Sequence, residues 1–134
     1  MSTAKTIGMN HLGLTVRDLS QTTTFFCDVL GWDVTAEDPN YPRNTVTDGT
    51  VRLTLWQVQV DGPAPFDRKT NLGLHHLALE VADEAALLAL GETLAETDGV
   101  EIEFMPEFMG AGPRKHMMFA EPGGLRIELL WAGG

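Results

Sequence analysis

The four histidines of this 134-residue chain are its clearest chemical candidates, because imidazole binds divalent metals and exchanges protons near neutral pH. His75 and His76 sit side by side in "GLHHLALEV", His11 lies in "NHLGLTV" and His116 in "GPRKHMMF". In a strand, neighbours point to opposite faces, so only one histidine of the doublet shares a face with Ala78 and Glu80. Leu77, Leu79 and Val81 form an apolar set that packs on a helix, leaving His76, Ala78 and Glu80 on the other side and His75 pointing away. By the same alternation Leu12, Leu14 and Val16 pack, leaving His11, Gly13 and Thr15. In "LRIELLW", Ile127, Leu129 and Trp131 pack, leaving Arg126, Glu128 and Leu130. Two imidazoles and one carboxylate, His11, His76 and Glu128, therefore share a face. That donor set holds Zn, Ni, Mn or Fe with positions open for a substrate. A single inward histidine is more often a hydrogen-bonded core residue, but His11 and His76 recur at one position of a repeat.

The repeat supplies the elements that position these residues. "NHLGLTVRDL" (10–19) aligns without a gap to "HHLALEVADE" (75–84), and each is followed by a helical stretch, Ser20 to Leu30 and Asp83 to Thr97. Ser20 and Asp83 are candidate N-caps, and Gly31 and Gly99 candidate stops. Leu87, Leu90 and Leu94 form one buried stripe, as do Phe25, Phe26, Val29 and Leu30. "GTVRLTLWQV" (49–58) then aligns to "GGLRIELLWA" (123–132), with Arg52 over Arg126 and Thr54 over Glu128. Shorter strands are expected near residues 32–35, 43–47, 100–104 and 116–120. The expectation is an α+β single domain, 1–134, of two βαβββ modules forming a cupped eight-stranded mixed sheet with helices outside. Module 1 spans about 7–60, a breaker-rich linker about 61–71, and module 2 about 72–132. The open concave face is where a small molecule would bind.

Composition removes several partners. A net charge of −10 disfavours nucleic acid and anionic membrane surfaces, and its commonest role is to keep a surface solvated. No run reaches the roughly 18 apolar residues of a membrane span, and no apolar segment follows the N-terminus, so a cytoplasmic location is expected. Cys27 alone cannot form an intrachain disulfide and reads as a small packing residue or, with a basic neighbourhood, a reactive thiol.

"NHLGLTVRDL" followed by "FFCDVLGW", "GLHHLALEV" and "FAEPGGLRIELLW" together resemble the vicinal oxygen chelate superfamily of glyoxalases, bleomycin-resistance proteins and extradiol dioxygenases. The resemblance implies paired βαβββ modules, a divalent metal ion, usually a homodimer, and ligands at His11, His76 and Glu128. These are the residues that strand alternation selects. A fourth ligand, a glutamate in glyoxalase I-like members, falls on Thr54, which is a poor ligand and leaves a more open site. The tyrosine of extradiol dioxygenases falls on Met118, which ranks ring cleavage low; a three-ligand thiol transferase of the fosfomycin type is a third possibility, although its usual tyrosine is again replaced by Met118.

The expected activity is that of a metal-dependent glyoxalase-like lyase or isomerase. It would chelate a small oxygenated substrate and remove a proton next to a carbonyl. Beyond ligand Glu128, Glu80 is either the base or a solvated rim acid, and His116 either the base or part of a surface loop. Arg114, in the basic stretch Arg114-Lys115-His116, could clamp an anion; Arg52, Thr54, Trp56 and Met118 would line the substrate's cup. The alternative is a non-catalytic binder of the bleomycin-resistance type, which the acidic balance suits and the three ligand positions do not.

Overall fold

The computed structural model describes residues 3–134, which form two compact units, one ending at Gln59 and the other beginning at Val60. The first contains β1 (Leu12–Val16), α1 (Leu19–Thr24), β2 (Asp33–Asp38), β3 (Arg43–Thr47) and β4 (Arg52–Gln57). The second contains β5 (Leu77–Val81), α2 (Glu84–Ala95), β6 (Glu101–Phe108), β7 (Lys115–Ala120) and β8 (Arg126–Trp131). Strand orders β1-β4-β3-β2 and β5-β8-β7-β6 make each unit a βαβββ module, an α+β fold of two four-stranded mixed sheets.

Register is repeated as well as order. β1 runs parallel to β4 with Gly13 opposite Thr54 and Leu14 opposite Leu55. β5 runs parallel to β8 with Ala78 opposite Glu128 and Leu79 opposite Leu129. Apolar residues alternate onto the helix side of each sheet. Val46, Leu53, Leu55 and Phe26 are fully buried in the first unit, and Leu87, Leu94, Phe119 and Ile127 in the second. At roughly 1.5–3 kcal/mol per buried side chain, these residues are the main restraint on register.

Local chemistry sets the element ends. Asp83 caps α2 as expected, its carboxylate accepting from Ala86 N at 2.7 Å. At α1 the cap is Asp18 rather than Ser20: Asp18 is extended and accepts from Gln21 N at 3.0 Å, so Ser20 falls inside the helix. Residues 25–29 follow as a π-helical turn that buries Phe25 and Phe26. The buried Glu121 carboxylate folds the "EPGG" turn, accepting from Gly123 N at 2.8 Å and Leu125 N at 3.2 Å. Asp48 does the same before β4, accepting from Thr50 N at 2.8 Å and Val51 N at 2.9 Å. The acids at these turns are structural.

Gly91 is buried in the middle of α2, where a Cβ would sit 3.1 Å from Cγ and 3.2 Å from Cδ of Pro106. Pro106 lies in β6, an edge strand, where its missing N–H breaks no ladder. Helix propensity alone favours alanine over glycine by about 1 kcal/mol. The Pro106 ring is tied into its strand and cannot swing aside, so Gly91→Ala is expected to bring no gain or a net loss in urea unfolding. A gain near the full propensity value would show that β6 yields.

Candidate functional site

The second unit gathers the chemistry around one buried carboxylate, Glu128 on β8. Its Oε2 accepts from His116 Nδ1 at 2.5 Å, and its Oε1 lies 3.4 Å from His76 Nε2. Phe104 stacks at a tilt on the His116 ring, 4.8 Å between centroids. Met118 pairs across the ladder with Glu128, and Ala78 flanks it from β5. Glu80 is exposed two residues along β5, on the face that carries Ala78.

The hydrogen bonds assign a proton to His76 Nδ1. Arg126 NH1 lies 3.3 Å from His75 Nδ1, and a guanidinium can only donate, so that nitrogen accepts. His76 Nδ1 lies 2.8 Å from the same atom and must supply the proton between them. With Nδ1 committed to His75, it is Nε2 that His76 turns toward the Glu128 carboxylate. Only a cation between these acceptors, a second proton or a metal ion, makes the approach favourable. Metal bonds of about 2.1 Å in tetrahedral geometry set donor atoms about 3.4 Å apart, so the pair also matches an edge of a metal site.

His75 does not point away as strand alternation predicts. Both histidines precede β5, which begins at Leu77, so alternation does not govern them. Their rings meet edge to face with centroids 5.0 Å apart. Loss of hydration, and then the positive charge of Arg126, hold the His75 pKa below its ordinary value. Arg126 in turn grips Glu103 on β6 through two bonds, Nε to Oε1 at 2.9 Å and NH2 to Oε2 at 2.7 Å. Glu103 and Phe104 escaped sequence reasoning because β6 offers no motif around them.

The basic stretch 114–116 does not act as one cluster. Arg114 is exposed before β7. Lys115 reaches Glu84 of α2 at 2.6 Å and lies over the Phe108 ring. His116, the next residue on the strand, turns to Glu128 instead.

In the first unit, His11 Nδ1 donates to Asn10 Oδ1 at 2.9 Å, which leaves Nε2 with its lone pair. Thr54 and Trp56 share a face of β4, and the Trp56 indole N–H donates to Thr54 Oγ1 at 3.0 Å. Arg52, at the start of the same strand, is exposed. Among the described residues no three His, Cys, Asp or Glu side chains are grouped around one ion position. In the second unit the donors are strung along Glu128: His76 on one oxygen, His116 on the other. Donor chemistry at the His76–Glu128 pair nevertheless suits a divalent ion.

Two βαβββ modules that pair their first and last strands in the same register, with a histidine-flanked carboxylate on the last strand, define the class of protein. The family model of the Glyoxalase/Bleomycin resistance protein/Dioxygenase superfamily matches residues 8–129, and the chain belongs to that superfamily. It is 28% identical over 148 residues to a 2-epi-5-epi-valiolone epimerase of Actinomyces sp, an alignment covering 92% of this chain and 79% of the relative. Its fold is similar to that of a glyoxylase/bleomycin resistance protein/dioxygenase domain from Frankia sp. EAN1pec, at a TM-score of 0.81 and 23% identity over 95% of this chain and 98% of that one. Lactoylglutathione lyase from Agrobacterium tumefaciens matches with a TM-score of 0.73 and 16% identity over 97% of each chain.

The Arg126 hydrogen bonds hold the Glu103 carboxyl below the usual glutamate range, against a smaller opposing effect of burial. A carboxyl lowered on folding stabilises fully above its unfolded pKa and loses that contribution as pH falls through the folded value. Glu103 is 41% exposed, so solvent screening limits the pair to about 0.5–1 kcal/mol. The difference in urea midpoint between the parent and Glu103→Gln is expected to be present at neutral pH and to close on acidification. A difference independent of pH would remove the ion pair from the stability of this unit.

Proposed function

We propose that this chain is a metal-dependent, glyoxalase-like lyase or isomerase. Its substrate would be small, with two neighbouring oxygens and a proton to be moved beside a carbonyl. The observation that supports this most is His76 Nε2 facing Glu128 Oε1 at 3.4 Å, a contact that a proton or a metal ion between them makes favourable. His76 and Glu128 would hold Zn, Ni, Mn or Fe together with His11. The matching positions of the two repeats bring His11 into this set, from the same chain or from a second copy in a homodimer.

When bound, such an ion supplies Lewis-acid stabilisation of charge developing on the substrate oxygens. Moving the proton falls to the chain's own groups. His116 gives its Nδ1–H to Glu128, which fixes the ring and leaves Nε2 to take a proton from carbon and return it. Glu80 is the second candidate base, being exposed and free to reach a ligand. Epimerisation takes away and gives back a proton at one carbon, so kinship with an epimerase favours the isomerase form of this reading. Thr54, Trp56, Arg52, Met118 and Arg114 would contact the substrate. Sequestration of a cationic small molecule is the second reading, favoured by the net charge of −10.

Protein purified without chelators should carry about one divalent ion per chain by emission spectroscopy. His76→Ala and Glu128→Gln are expected to lose it. His75→Ala should keep the stoichiometry and weaken affinity roughly 10–100-fold, as removal of a tautomer-fixing neighbour does. In the loaded protein, His116→Gln should retain the ion yet abolish deuterium exchange into glutathione adducts of 2-oxo aldehydes or acyl-CoA thioesters, whichever the parent turns over. A metal-free protein whose melting temperature ignores EDTA would favour the binder.

A further inference from the structure

The first unit carries a second polar surface whose chemistry is the reverse of that around Glu128. Ladder partners put Arg43 beside Trp56, Thr45 beside Thr54, and Gly13 on the other side of Thr54, all on the face turned away from the buried leucines. The Arg43 guanidinium lies over the Trp56 ring, 5.5 Å from its centroid, and donates through NH1 to Thr45 Oγ1 at 2.8 Å. Tyr41 closes on the same indole edge to face, 4.7 Å between centroids. Thr45 and Thr54 are both buried.

Hydrogen-bond senses follow from the partners. Thr45 Oγ1 accepts from a guanidinium and Thr54 Oγ1 accepts from an indole, neither of which can accept in return. Each hydroxyl therefore keeps its own hydrogen to donate. Arg43 has NH2 and Nε beyond the bond to Thr45, and among the described residues it forms no ion pair. Its cross-strand neighbour Asp38 turns its carboxylate to Asn40 N at 3.0 Å instead. Gly13 keeps the approach open: a Cβ there would stand 3.2 Å from Thr54 Oγ1. The surface is thus a cation and two hydroxyl donors on an aromatic shelf, with the neighbouring Asp38 carboxylate turned to Asn40 N instead of to Arg43.

The geometry points to an oxyanion site on β3 and β4, in which Arg43, Thr45 and Thr54 donate to a carboxylate or phosphate and Trp56 supports the part of the ligand next to it. Resting on the enzymatic reading above, this makes the substrate anionic and assigns its anchoring to Arg43, rather than to the exposed Arg52 or Arg114. Anion binding itself needs neither metal nor turnover, so the two readings fail separately.

The test follows the indole N–H resonance of Trp56, assigned with Trp56→Phe, in EDTA-treated protein titrated with inorganic phosphate and with malonate. A saturable shift with both, or with one, supports the site and shows which oxyanion it prefers. Arg43→Gln should weaken binding roughly tenfold or more, as loss of a charged donor does, and Arg43→Lys less, with melting temperatures confirming that both variants are folded. Binding should survive His76→Ala. Absence of any shift, equal binding by Arg43→Gln, or loss of binding in His76→Ala would overturn the assignment. Absence of metal from the parent protein would overturn the enzymatic reading and leave this site standing.

Discussion

Everything in each unit depends on the parallel pairing of its first and last strands in one register. That pairing sets Gly13 against Thr54 and Ala78 against Glu128. A glycine and an alanine at these places leave the neighbouring side chain room on the open face. A slip of one residue would drive the Glu128 carboxylate into the leucine-rich layer beneath α2, where an unpaired charge costs several kcal/mol or more. The apolar alternation of Leu77, Leu79, Ile127 and Leu129 forbids that slip. The hydrophobic layer thus positions the carboxylate without touching it.

Around Glu128 the polar groups constrain one another in a single direction. Glu103 holds Arg126, Arg126 commits His75 to accept, and His75 commits His76 to donate through Nδ1. The result at the far end is the His76 Nε2 presented to a carboxylate. On the other oxygen, His116 donates and is braced by Phe104. Arrangements in which a carboxylate, through other groups, orders a metal-facing histidine are a common way to fix tautomer and ring orientation. Here the ordering runs through an arginine and a second histidine, so the doublet "HH" acts as a pair, one residue setting the state of the other.

Much of this was legible in the sequence because it depends on period and repetition. Both βαβββ units, the strand 43–47, the cap at Asp83 and the shared face of Thr54 and Trp56 all follow from alternation and internal alignment. What was not legible depends on where regular structure stops. His75 and His76 lie just before β5, so a period of two assigned them to opposite faces, whereas loop geometry brings their rings together. Asp18 won the first helix cap over Ser20 because an extended aspartate one residue before the helix reaches the amide of Gln21. The Arg114–His116 stretch looked like one basic clamp, yet successive strand residues diverge, Lys115 to Glu84 and His116 to Glu128. Long-range pairs such as Arg126 with Glu103 leave no trace in a single sequence, since twenty-three positions separate them.

The repeat also explains how one fold supports two opposite chemistries. Matching register at β1–β4 and β5–β8, and at β3–β4 and β7–β8, gives both units the same slots on the open face, and different side chains fill them. In the second unit the slots hold Glu128 and two imidazoles, His116 donating to one carboxylate oxygen and His76 Nε2 lying 3.4 Å from the other. In the first, the slot of Glu128 is Thr54, and its neighbours Thr45 and Arg43 turn the surface into donors that call for an anion. With threonine at position 54, Arg43 keeps its charge beside the Trp56 ring. Within each unit the open face thus carries side chains of one electrostatic character, carboxylate and imidazole in the second and guanidinium and hydroxyl in the first.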